Sequence, residues 1–352
     1  MAGTAQQPGI AARSALALLM LGTLHSGAFS CAHATENQRK LAAGNRQNPS
    51  TPPEPGAAPQ PGANASKEGP NTPLPSDSTP PVHAGVFGGG PFYNEAATVM
   101  PMMRVSGFST VILWTIHVNS NGDLVYNDQL LVSDGKYVGS SAWPAQVASL
   151  KYEPTSVKRI EMGVGSADVS DFENIESLIG AQGTGATSIL YRNFAALRQT
   201  IPAIDAINFD DESNYHVTPT VDFSLMLIGL AYKVTLCPYT QTKFWESVTS
   251  RVNARKAGSI DRVYLQLYSG GEGNDPGAWN AHFGGLKVEA GLWSKHDTGC
   301  TQGDSPQTVQ QKLTGLKSSV SGGWMWLLDD MLACAGQFAV KDYAAAINAA
   351  LK

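Results

Sequence analysis

Residues 203–215 read A-I-D-A-I-N-F-D-D-E-S-N-Y, an apolar run that ends in three consecutive acids. Ile204, Ile207 and Phe209, set among small residues, predict a short buried strand. Side chains alternate along a strand, so Asn208, Asp210 and Glu212 fall on one face and Asp211 on the other. Two carboxylates and a carboxamide therefore converge at the C-terminal end of an apolar strand. Burying charge without partners is costly. The acids are either solvated, paired with Arg or Lys, or gathered for chemistry.

Seven further stretches have strand character: residues 82–87, 110–116, 159–164, 233–237, 262–268, 286–292 and 323–328. The second of the eight in chain order contains V-I-L-W-T-I, rich in β-branched and aromatic residues. Helical stretches lie between them at 172–179 with 188–199, 221–230, 242–255, 306–320 and 339–351. Strand followed by helix, repeated, predicts a parallel sheet with right-handed crossovers. Eight repeats without a G-x-G-x-x-G after the first strand favour a closed (β/α)8 TIM barrel over a dinucleotide-binding sheet. The fold class is thus α/β, with one catalytic-type domain over residues 82–352.

The N-terminal part is organised differently. Arg13 precedes an apolar run over 15–24, too short to span a bilayer, and Ala32-His33-Ala34 follows as an A-x-A-like cleavage site. Residues 1–34 are therefore expected to be a signal peptide. A second reading makes Cys31 a lipid anchor, since residues 28–31 loosely match a lipoprotein box. Residues 48–81 are dense in Pro, Gly, Ser and Ala, so 35–81 is expected to be a linker without a core. The expected location is secreted, cell-surface or periplasmic.

A formal net charge of −5 and the lack of a basic run argue against a nucleic-acid partner. No later stretch has the length and apolarity of a transmembrane helix. Cleavage after Ala34 leaves Cys237, Cys300 and Cys334. Without C-x-x-C or paired ligand spacing, no metal site is expected. Cys300 and Cys334 follow the seventh and eighth strands and are the expected disulfide of an oxidising compartment, leaving Cys237 as a buried reduced thiol.

Other strand ends are also chemically loaded. The sixth strand ends Gln266-Leu267-Tyr268, with Gln266 and Tyr268 on one face, and the eighth reads G-G-W-M-W over 322–326. In a barrel, these C-terminal ends form the catalytic face. Trp114, His117 and Trp293 lie at strand ends too, and are expected to serve packing.

The strand-four stretch resembles the D-x-x-D-x-D-x-E signature of family 18 glycoside hydrolases, the chitinases and endo-β-N-acetylglucosaminidases. Asp205, Asn208, Asp210 and Glu212 fall on its four acidic positions, with Asn in place of the middle Asp and Ala206 in place of the usual Gly. F-D-D-E is similar to the endoglycosidase H branch, Q-L-Y to the Q-F-Y of plant-type chitinases, and W-M-W to the family's final strand.

The resemblance implies a secreted glycosidase that cleaves β-1,4 linkages of N-acetylglucosamine-containing glycans by substrate-assisted retaining catalysis. The endo-β-N-acetylglucosaminidase type ranks ahead of the chitinase type. Glu212 becomes the general acid, with a pKa raised by apolar surroundings and Asp210. Asp210 orients the substrate's acetamido group, Tyr268 hydrogen-bonds its carbonyl, and Trp326 floors the sugar. Gln266, Trp324 and Asn208 complete the binding set, and no cofactor is needed. Asp205 has a structural role. The Asn208 amide is expected to donate to Asp210, which then ionises as a single group. A rival reading is a catalytically silent glycan-binding barrel of the chitinase-like lectin type, and a third is a barrel enzyme with unrelated chemistry.

Overall fold

The computed structural model describes residues 82–352, so the expected signal peptide, linker and Cys31 lie outside the described residues. The strands are β1 (His83–Gly88), β2 (Thr110–Val118), β3 (Leu124–Tyr126), β4 (Gln129–Ser133), β5 (Lys136–Tyr137), β6 (Arg159–Val164), β7 (Ala206–Phe209), β8 (Lys233–Leu236), β9 (Ile260–Gln266), β10 (Glu289–Trp293) and β11 (Gly322–Trp326). The helices are α1 (Pro91–Asn94), α2 (Ala96–Arg104), α3 (Trp143–Ser149), α4 (Asp171–Gln182), α5 (Ile189–Thr200), α6 (Val217–Gly229), α7 (Thr242–Arg255), α8 (Pro276–Asn280), α9 (Pro306–Leu316), α10 (Leu328–Ala333) and α11 (Val340–Leu351).

Eight strands, β1, β2 and β6 to β11, run parallel in chain order, and β1 pairs with both β2 and β11 to close the barrel. All eight match the strands expected from sequence, β6 to the residue and the other seven with shifted ends. The largest shift is in β10, which begins at Glu289 rather than residue 286. The chain also makes an unexpected antiparallel ribbon, β3–β4–β5, as an extension of β2. Its turns place Asn127 and Asp128, then Asp134 and Gly135, at positive φ, the geometry of two-residue hairpins.

Local signals place the helices. Ser188 caps α5 by accepting from the Tyr191 N–H, and Ser305 caps α9, before Pro306, by accepting from Thr308. Each cap stabilises its helix by about 1 kcal/mol. The main core lies between strands and helices, where outward-facing Leu113, Ile160, Ile207, Val234, Leu265 and Leu292 meet the helical apolar faces.

A second, smaller cluster fills the barrel itself: Phe87, Ile112, Trp114, Cys237, Tyr264, Trp324, Trp326 and Leu327, with Tyr268 and Trp293 packed against it. Gly291 is required here, because a Cβ at that position would overlap the Trp324 ring. Below this cluster the interior is polar. Glu161, fully buried, accepts from Tyr264 Oη at 2.7 Å and pairs with Arg159, which also grips Asp261. Glu289 lies 3.7 Å from Arg262 and 3.1 Å from His83. The two levels set up the catalytic-type face: a charged floor, then an aromatic plug, then the mouth.

Candidate active site

The site is built where β7 gives way to a turn. The Asp210 N–H still bonds the Val164 carbonyl at 2.9 Å, so its side chain keeps the interior-facing phase of Asn208. The next residue breaks the strand. Asp211 Oδ1 accepts from the N–H groups of Ser213 and Asn214, at 3.2 and 2.9 Å, and Oδ2 from that of Tyr215 at 3.1 Å. Three backbone donors on one carboxylate curl the chain into a turn. Glu212 therefore lies on this turn, half-buried, and not on the strand as alternation alone predicts. Gly165, at φ +95°, faces the Asp210 carbonyl across the neighbouring strand end, where a side chain would collide with it.

Asp210 is 1 % exposed. The Trp114 indole donates to its Oδ2 at 3.1 Å, Gln266 Nε2 approaches Oδ1 at 3.4 Å, and the Cys237 thiol bonds the same carboxylate. Burial raises its pKa well above the usual carboxylate value, the Glu212 charge raises it further, and the Trp114 and Cys237 hydrogen bonds oppose both. This corrects the expectation of an Asp210 that ionises alone: it is electrostatically tied to Glu212.

Asn208 departs from expectation as well. Its Nδ2 donates to Thr235 Oγ1 at 2.9 Å rather than to Asp210, and the Thr235 hydroxyl in turn donates to Glu161 Oε2 at 2.5 Å. The Asn208 Oδ1 is buried with no hydrogen-bond partner. Asn208 is fully buried one level below the mouth, so it supports the interior and does not line a glycan surface. Trp324 is also corrected. It is 0 % exposed, donates to the Glu289 carbonyl at 3.1 Å and packs edge-on against Tyr264 and Tyr268, all within the plug.

Gln266 is buried, with Nε2 also reaching the Cys237 carbonyl at 3.2 Å. Tyr268 lies just past β9, half-buried, and stacks over Trp326 at 6.3 Å. Trp326 itself is 2 % exposed and meets Trp114 edge-to-face at 4.8 Å. It therefore supports Tyr268 and Trp114 more than it offers an open floor.

Trp114, expected only to pack, is the residue that sequence reasoning missed; its interior-facing phase in the middle of β2 was the available signal. His117 does have a local role, 2.9 Å from Asp171. Asp205, half-buried before β7, pairs with Lys151 at 2.6 Å and accepts the Ile160 N–H, a structural position as expected. Cys300 and Cys334 form the expected disulfide, with Cα atoms 5.8 Å apart, while Cys237 is buried and reduced. Among the described residues, no group of three or more His, Cys, Asp or Glu side chains could hold a metal ion, and no helix is long and apolar enough to cross a membrane.

No family model matches the chain, and no curated protein matches its sequence. Solved structures do match its shape. A chitinase from Bacteroides thetaiotaomicron superposes with a TM-score of 0.52 at 12% identity, over 77% of this chain and 97% of its own. A chitinase from Chromobacterium violaceum gives 0.49 at 11% identity, over 77% and 99%. A family 18 chitinase from Crocus vernus gives 0.49 at 12% identity, over 72% and 96%. The first of these places the chain in the chitinase-like (β/α)8 barrel fold.

Proposed function

We propose that this chain is an exported glycosidase acting on N-acetylglucosamine-containing glycans, of endo-β-N-acetylglucosaminidase type ahead of chitinase type. One observation carries the reading. A buried carboxylate, Asp210, is held by the Trp114 indole, the Gln266 amide and the Cys237 thiol at a barrel's C-terminal mouth, with the half-buried Glu212 near enough for its charge to act on it and the half-buried Tyr268 at the end of a neighbouring strand. A buried carboxyl with a second acid close to it is an arrangement in which environment divides acid and base roles between two carboxyls.

In the substrate-assisted route, Glu212 protonates the glycosidic oxygen as its bond to the anomeric carbon breaks. The substrate's own acetamido oxygen forms the new bond to that carbon, giving an oxazolinium ion. Asp210, ionised, orients the acetamido N–H and balances the positive charge. Tyr268 positions the acetamido carbonyl from above Trp326. Glu212 then takes a proton from the water that opens the ring, with net retention. The signal peptide over 1–34, the linker over 35–81 and the barrel over 82–352 complete the proposal, with Cys31 as an alternative anchor point.

A silent glycan binder on the same barrel is the second reading, favoured by Asn208, which sends its amide to Thr235 and leaves its oxygen without a partner. Incubation with chitin oligomers and a high-mannose glycoprotein, followed by mass spectrometry, separates the two. Glu212→Gln should lower hydrolysis about 10²-fold or more and keep binding. Wild-type turnover in that variant would remove Glu212 from the mechanism.

A further inference from the structure

The N-terminal ends of the barrel strands, on the face away from Asp210 and Glu212, surround a second concave site. A cavity of about 450 Å³ lies there, within the range of small-molecule sites. Lys158, Arg159, Arg198, Lys233 and Arg262 line it, and Asp205 is the one acid lining it among the described residues. The sequence scatters these cations, and the barrel gathers them. Arg159, Lys233 and Arg262 each lie two residues before Glu161, Thr235 and Tyr264 of the polar interior, so they share its inward phase. Arg198 arrives from the last turn of α5. Its Nη1 donates to the Ile204 carbonyl at 2.5 Å, and its guanidinium lies 4.9 Å from the centre of the Tyr232 ring.

Charge balance singles out two of the five. Arg159 is matched by Glu161 and Asp261, Lys158 by Glu153, and Arg262 lies 3.7 Å from Glu289. Asp205 is taken up by Lys151. Arg198 and Lys233 have no ion pair among the described residues. Their hydrogen bonds go to backbone carbonyls, that of Lys233 Nζ to Gly258 at 2.6 Å. Two positive charges beside one cavity therefore lack a protein counter-charge. A hydroxyl adds to them: Thr110 Oγ1, also in the lining, accepts from Arg262 Nη1 at 2.8 Å and keeps its own proton for a further acceptor.

We propose that this cavity binds a small organic phosphate monoester, with the phosphate group between Arg198 and Lys233. Two unmatched cations fit a group that carries about two negative charges near neutral pH, as a phosphate monoester does. Guanidinium and ammonium donors that reach it from different elements suit a tetrahedral group with three terminal oxygens better than a planar carboxylate. The cavity is larger than a phosphate group and leaves room for the esterified part. The site lies at the opposite end of the barrel from the candidate active site, so it stands apart from the glycosidase reading.

Calorimetric titration of the chain at fixed ionic strength tests the class of ligand. The probes are glucose 6-phosphate, glycerol 3-phosphate, inorganic phosphate, dimethyl phosphate and citrate. At least one of the two esters should bind, and dimethyl phosphate, with a single charge, should bind roughly ten-fold more weakly or less. Lys233→Gln and Arg198→Gln should each weaken ester binding roughly ten-fold, the scale of one charged hydrogen bond. Arg198→Lys should recover part of the loss. Lys341→Gln, an exposed change outside the cavity lining, should leave affinity unchanged. Melting curves without ligand check that each variant is folded. Lys233 is exposed, so its variant carries the test if Arg198→Gln unfolds. No binding of either ester would overturn the proposal. So would citrate or inorganic phosphate bound as tightly as the ester, or an affinity unchanged in folded Lys233→Gln.

Discussion

Trp114→Phe tests the electrostatic core of the site most directly. The change removes one N–H, the indole donor 3.1 Å from Asp210 Oδ2, and keeps an aromatic ring against Trp326. A hydrogen bond to a charged group contributes about 1.5–3 kcal/mol, which at 1.36 kcal/mol per decade corresponds to a factor of about 10 to 150. The sign follows from which form the bond favours. The indole stabilises ionised Asp210 against burial and the Glu212 charge, so its loss moves the Asp210 pKa further upward. If ionised Asp210 is the working form, kcat/KM falls by about that factor on the acidic limb, the limb moves to higher pH, and the deficit shrinks as pH rises above it. The assay is kcat/KM for a chitin oligomer from pH 4 to 9, with a melting curve to account for lost packing of about 0.5–3 kcal/mol. A deficit that is constant across pH, or a limb that stays in place, would refute the reasoning and reduce Trp114 to packing.

Asn208→Asp puts a second buried carboxylate near Asp210 and Glu161 and removes the donor to Thr235. The acidic limb should move upward, with a stability loss of about 1–3 kcal/mol in denaturant titration, and an unshifted limb would show that position 208 does not sense Asp210. Burial, working against the Trp293 hydrogen bond, pushes Asp330 up from 3.8 to about 7. An acid with a raised folded pKa contributes stability fully below its unfolded value, and loses it as pH rises through the folded one. Asp330→Asn should therefore flatten a fall in melting temperature between about pH 4 and 7, and an unchanged slope counts against the assignment. Reducing the Cys300–Cys334 bond opens a loop of 34 residues of sequence separation, so Cys300→Ser with Cys334→Ser should cost about 4 kcal/mol in the chain-entropy account, measured by urea titration; no loss would contradict it.

The barrel was legible because each buried strand carries its own apolar run, and its repeat with helices leaves few topologies. The ribbon was overlooked although Asn127-Asp128 and Asp134-Gly135 are hairpin signals, because strands as short as Lys136–Tyr137 have too few residues to show a period. Within the site, alternation placed Asn208 and Asp210 on one face correctly. It failed at Glu212, since the chain leaves the strand where Asp211 collects three backbone N–H groups. Trp324 and Trp326 share a face two residues apart, and sequence does not reveal depth: the aromatic layer above covers both. Trp114 lies 96 residues before Asp210, and only barrel closure brings them together.

Cys237 is the one cysteine outside a disulfide among the described residues, and its S–H bond points at Asp210. The S–H stretching vibration falls in a spectral window that other protein groups leave nearly empty, and its frequency drops as the acceptor becomes more negative. The barrel therefore carries a native infrared reporter of charge at the carboxylate on which the proposed reaction depends. It needs no label and no substitution, and it can be read while a glycan is bound.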